Sequence, residues 1–142
     1  MADDRNVVSM TPEEAFLLGK EYHEGKNGKE QSYEKAVEYY TIAANAKYVR
    51  AQYELARIYY WGYLGESDID EAIHWFEEAS ANGDLEATYM AGVCYEESSG
   101  QFCHDYSMLG MAKYYFELAA KKGHKLAQKA YKRYANRDDV YP

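Results

Sequence analysis

Residues 72–83 read "AIHWFEEASANG", and the same order of small and aromatic residues occurs twice more. "AVEYYTIAANAK" (36–47) precedes it and "AKYYFELAAKKG" (112–123) follows. Each reads Ala-x-x-aromatic-aromatic-x-x-Ala-small. Gly83 and Gly123 close two of the copies, and Lys47 stands at that place in the other. Upstream of each lies a second matching segment: "LGKEYHEG" (18–25), "LARIYYWG" (55–62) and "AGVCYEES" (91–98). The shared tyrosines Tyr22, Tyr59 and Tyr95 are 37 and 36 residues apart, and Ala36, Ala72 and Ala112 are 36 and 40 apart. Two segments recurring in fixed order at such a period mark an array of supersecondary units.

Both segment types place small and apolar residues at three- and four-residue steps, the period of a helix. The punctuation agrees. Thr11-Pro12-Glu13-Glu14 supplies an N-cap, a proline at the first helical position and a capping-box glutamate. Asp68-Ile69-Asp70-Glu71 repeats the cap-and-glutamate spacing. Gly83 and Gly123 sit where a helix ends in a left-handed residue. "GKNGKE" (25–30) and "GYLGES" (62–67) are turn-rich connections. The predicted helices span about 12–24, 32–46, 49–61, 69–82, 85–97, 108–122 and 125–136.

Connections this short force consecutive helices into antiparallel hairpins. The small residues Gly19/Ala56/Gly92 and Ala43/Ala79/Ala119 let backbones approach, and the aromatics fill the space beside them. One hairpin cannot bury its own apolar face, so stacking on neighbours is what stabilises the array. The final helix, "KLAQKAYKRYANR", carries Lys125, Lys129, Lys132, Arg133 and Arg137 and suits a polar terminal cap.

L-G-x-x-Y-x-x-G followed by A-x-x-W-F-x-x-A-S-x-x-G resembles the Sel-like repeat, a relative of the tetratricopeptide repeat. The resemblance covers about residues 12–135. It implies an all-α fold: an α/α right-handed superhelix, or solenoid, of three helical-hairpin repeats plus a C-terminal capping helix. The expected organisation is one domain over 1–142, with repeats at about 12–48, 49–84 and 85–124 and the cap at about 125–136. The chain departs from the pattern at Ser98 (a loop glycine), at Lys47 (a terminal glycine) and by four extra residues in the third loop. A longer, less regular loop is therefore expected around 98–107.

With 142 residues and a net charge of −8, the chain has the size of one soluble domain. Residues 1–110 hold 8 basic and 21 acidic side chains, a balance of −13, and residues 111–142 hold 8 and 3, a balance of +5. An acidic body argues against nucleic acid as a partner, since phosphates are neutralised by Lys and Arg. Apolar runs fall far short of the roughly 20 residues of a membrane span, so no membrane association is expected. "MADDRNVVSMTPEE" has neither a basic nor an apolar leader region, and cytoplasmic localisation is the expectation. The acidic body and the basic C-terminal helix make self-association into a homo-oligomer possible.

Seventeen tyrosines exceed what the repeat pattern demands. The cluster Tyr59, Tyr60, Trp61 and Tyr63 could be a stacking platform, a peptide-binding wall or core. Tyr59 holds the repeat tyrosine position and is expected in the core. Tyr60 and Trp61 align with polar residues of the other repeats and are expected at the surface. Tyr53 and Tyr89 align with Phe16, and the tetratricopeptide resemblance implies that this side of each first helix lines a concave groove. Successive helical turns add Lys20/Arg57/Val93 and His23/Tyr60/Glu96. The candidate partner-binding residues are Phe16, Lys20, Tyr53, Arg57, Tyr60, Trp61 and Tyr89, a set with the composition of a protein-binding hot spot. The same rings could instead pack against the next repeat or the cap.

No catalytic constellation emerges. His23, His74, His104 and His124 lack zinc-protease spacing, and Cys94 and Cys103 lack a CxxC spacing. No metal or cofactor is expected, and the cysteines read as free thiols. The resemblance implies a non-enzymatic adaptor or scaffold that binds a protein partner. The alternative is a dedicated inhibitor or immunity-type protein whose acidic body occludes a basic enzyme surface.

Overall fold

The computed structural model describes residues 9–101 and 106–135. Seven helices account for most of them: α1 (Pro12–Glu24), α2 (Tyr33–Asn45), α3 (Val49–Trp61), α4 (Ile69–Ala81), α5 (Leu85–Gln101), α6 (Tyr106–Lys121) and α7 (Lys125–Ala135). Among the described residues there is no strand.

The helix ends follow from the sequence punctuation. Thr11 Oγ1 accepts the Glu14 N–H at 3.1 Å, Ser32 Oγ accepts that of Lys35 at 3.2 Å, and Asp84 Oδ1 accepts that of Ala87 at 2.8 Å. His124 does the same for α7, accepting the Ala127 N–H on Nδ1 at 3.1 Å. The C-terminal ends of α2, α4 and α6 share one bonding pattern. Tyr48, Asp84 and His124 donate their N–H groups to the carbonyls of Ala43, Ala79 and Ala119, while Lys47, Gly83 and Gly123 donate to Ala44, Ser80 and Ala120. This is the Schellman arrangement, and it needs a left-handed residue. Gly83 (φ 98°) and Gly123 (φ 95°) supply it without strain, and Lys47 adopts it as well, at φ 66°.

The third connection departs from expectation. A long irregular loop is expected around 98–107, but positions 98–101 continue α5 and positions 106–107 already belong to α6, while residues 102–105 lie outside the described residues. The cause is the residue at position 98. Gly25 (φ 68°) and Gly62 (φ 71°) end α1 and α3 in the left-handed region, whereas Ser98, at the aligned place, continues the helix.

Two compact units divide the chain, Met1–Asp68 and Ile69–Pro142. In the first, α1 packs on α2 and α2 on α3. Gly19 makes the close approach possible, because a Cβ there would lie 2.6 Å from the Tyr40 ring. Tyr22 stacks on Tyr39 with ring centroids 5.7 Å apart. The Tyr22 carbonyl accepts from Ser32 N–H and the Tyr59 carbonyl from Asp68 N–H, so both turns close on the repeat tyrosine.

In the second unit, α5 packs on α4 and α6, and α6 packs on α7. Gly92 repeats the role of Gly19, facing Phe116 at 2.7 Å from a would-be Cβ. Tyr95 and Tyr115 stack at 5.9 Å and donate their hydroxyls to one carboxylate, Glu77, at 2.9 and 2.7 Å. Leu109, Ala112, Phe116, Ala130 and Tyr134 form a buried cluster that α7 closes. Tyr134 donates its hydroxyl to Glu96, which Arg133 also holds at 2.8 Å.

Candidate binding cleft on the first unit

The face of α1 that carries Phe16, Lys20, His23 and Glu24 and the face of α3 that carries Arg50, Glu54 and Arg57 line one cleft, with Tyr40 of α2. Its volume is about 270 Å³. Ligand pockets for drug-sized molecules run from roughly 300 Å³ upward, so this one suits a side chain or two.

Each lining residue is held by its neighbours. Phe16 is 2% exposed, with its ring 5.7 Å from Tyr40 and 5.1 Å from Tyr48. Tyr40 is equally buried, and its hydroxyl is hydrogen-bonded to His23 Nδ1 at 3.2 Å. Burial, reinforced by Glu54 and Glu24, pushes the Tyr40 phenol above its ordinary range, so it keeps its proton. Two large rings thus form apolar walls with one polar tip.

The charges form a partial network. Arg57 pairs with Glu54 at 3.4 Å and lies over the Tyr53 ring at 5.8 Å. Lys20 reaches Glu24 only at 4.0 Å, and Lys26 holds that same carboxylate at 2.7 Å. Hydrogen bonding to Lys26 draws Glu24 below the usual carboxylate range. The Arg50 guanidinium lies 5.1 Å from the Phe16 ring centroid.

Of the residues singled out from sequence, Phe16, Lys20 and Arg57 line the cleft. Phe16 serves as a buried wall rather than a projecting ring. Tyr53 is half-buried beside it under Arg57. Tyr60 and Trp61 pack edge to face at 4.8 Å at the end of α3, where Trp61 is 57% exposed. Tyr63, 42% exposed, stacks on Tyr33 at 4.9 Å just beyond. Tyr59, expected in the core, is only half-buried. Tyr89 belongs to the second unit, where it stacks on His124 at 4.5 Å and packs near Phe116, the cap-facing alternative raised above.

Sequence reasoning missed Glu24, Arg50, Glu54 and Tyr40. For Arg50 a signal existed, because the stripe continued one turn back from Tyr53 reaches it. Tyr40 comes from another helix, and no local spacing places it here.

Among the described residues no group of three His, Cys, Asp or Glu side chains could hold a metal ion. Cys94 is buried, and burial pushes its thiol up to about 12, which keeps it protonated and unreactive near neutrality. Cys103 lies outside the described residues. Among those residues no helix is long and apolar enough to cross a membrane.

The family model of the Sel1 repeat matches residues 15–48, 49–84 and 85–124. The chain belongs to the Sel1 repeat family. The structure is similar to that of a Sel1 repeat protein from Oxalobacter formigenes, with a TM-score of 0.70, 30% identity, and coverage of 91% of this chain and 93% of that one. It is also similar to c5321, a protective antigen of uropathogenic Escherichia coli strains displaying an SLR fold. There the TM-score is 0.76 and the identity 26%, with 96% of this chain covered and only 28% of that one. No curated protein compared with the sequence matches it. The fold class is thus the all-α helical-repeat solenoid of these proteins. Sel1 repeat proteins are typically protein-interaction modules and generally non-catalytic scaffolds.

Proposed function

We propose that this Sel1 repeat chain is a non-enzymatic adaptor or scaffold that holds a segment of a partner protein in the cleft between α1 and α3 and on the aromatic shelf of Tyr60 and Trp61. The observation that most supports this reading is the cleft itself. It joins residues far apart in sequence, Phe16 and Lys20 with Arg57, in a concavity of side-chain size. An exposed tryptophan near the end of the same α3 adds contact area at small entropic cost. Buried Phe16 and Tyr40 fix the walls before binding, and such preorganisation lowers the cost of association.

The test is site-specific photocrosslinking in native lysate. A benzoylphenylalanine replacing Trp61 should give a discrete crosslinked partner band. One replacing Tyr114, which is 48% exposed on α6, should not. Crosslinks from position 114 alone, or from neither position, would contradict the proposal.

A further inference from the structure

We propose that the segment taken by this cleft is acidic, with Arg50 as the residue that anchors its carboxylate. The inference rests on the binding role just proposed and adds the chemistry of the partner.

Charge is the first argument. Residues 1–68, the unit that holds the cleft, carry 8 basic and 12 acidic side chains, a balance of −4, yet the cleft is lined by three cations, Lys20, Arg50 and Arg57, against two carboxylates, Glu24 and Glu54. Those carboxylates are already engaged. Glu54 holds Arg57, and Glu24 lies closer to Lys26, outside the cleft, than to Lys20. Among the described residues Arg50 forms no ion pair within 4.0 Å. The cleft therefore holds positive charge that no ion pair among the described residues compensates, and a basic partner surface would not relieve it.

Geometry is the second. Arg50 lies over the face of Phe16. A guanidinium held over a ring by cation–π attraction still has its N–H fork to offer a carboxylate. The ring beneath is 2% exposed and cannot swing away, so the guanidinium rests on a fixed support. Arg57, held from one side by Glu54, and Lys20, weakly held, flank that point. The net negative charge of the unit repels anions at long range, while the cleft attracts them at contact. Selection then falls on a segment that delivers its carboxylate into the cleft, beside an apolar residue that meets the exposed Trp61.

The experiment is selection of random heptapeptides displayed on phage against the full chain at low salt, followed by titration of the selected peptides. Expected are sequences enriched in Asp or Glu next to Leu or an aromatic, with binding that weakens as salt rises. Arg50→Ala should weaken them about tenfold or more, as losing a hydrogen-bonded charge partner does. Arg50→Lys should restore only part, because the fork is lost. Melting curves should be unchanged for both variants, since Arg50 is exposed. Neutral or lysine-rich peptides that still depend on Trp61 would overturn the acidic assignment and leave the binding role standing. Acidic peptides indifferent to Arg50→Ala would overturn the anchor. Peptides indifferent to both Arg50 and Trp61, or none selected at all, would overturn the binding role as well.

Discussion

Lys47 occupies a place where the other two repeats have glycine, and its backbone shows the consequence. Its φ of 66° lies in the left-handed region, as do those of Gly83 and Gly123. An L-residue pays roughly 1–2 kcal/mol there, partly offset by the entropy a glycine loses on folding. Lys47→Gly should therefore stabilise the fold by about 0.5–1 kcal/mol. Gly83→Ala, at φ 98° with open space around it, should destabilise it by about 1 kcal/mol. Urea unfolding of the pair checks both signs. The tyrosines differ in the same residue-by-residue way. Tyr40 is 1% exposed, and Tyr40→Ala should cost about 3–5 kcal/mol, as buried aromatic truncations do. Half-buried Tyr59 should cost clearly less. A larger loss at Tyr59 than at Tyr40 would show that the repeat tyrosine, after all, carries the core.

At the scale of elements, α7 is the clearest dependency. It closes the cluster of Leu109, Ala112 and Phe116 with Ala130 and Tyr134. Deleting the chain from Lys125 onward should expose those side chains and lower the melting temperature or the solubility. An unchanged melt would contradict the capping role. Helix positions were legible in the sequence because capping residues and αL residues act locally: Thr11, Gly83 and Gly123 each fix an end through bonds to their own helix. The length of α5 was not legible. Ser98 stands where the other repeats have a glycine, and without that left-handed residue the helix continues through positions 98–101. The site was legible in part. The Phe16–Lys20 and Tyr53–Arg57 stripes follow from helical period, whereas Tyr40 enters by packing of α2.

For the whole molecule, buried acids of the neutral kind govern behaviour in alkali. Burial, helped by the hydrogen bond to Glu77, raises Tyr95 from 10.0 to about 12, and burial raises Cys94 from 9.0 to about 12. Tyr40, Tyr115 and Tyr134 shift in the same direction. The folded state thus binds these protons more tightly than the unfolded chain. Their contribution is complete below the unfolded values, near 9 to 10, and is lost as pH rises towards about 12. The urea midpoint should fall across that window while tyrosinate absorbance lags behind free tyrosine. Ordinary phenol titration with undiminished stability would refute the burial assignments. The central claim, that the face of α1 and α3 binds a protein, is tested most directly by titrating the crosslink-identified partner against three forms of the chain. Wild type and Lys121→Ala, on exposed α6 surface, should bind alike. Arg57→Ala should bind about tenfold or more weakly at an unchanged melting temperature. Equal affinity for all three, or a loss confined to Lys121→Ala, would place the partner elsewhere and contradict the account.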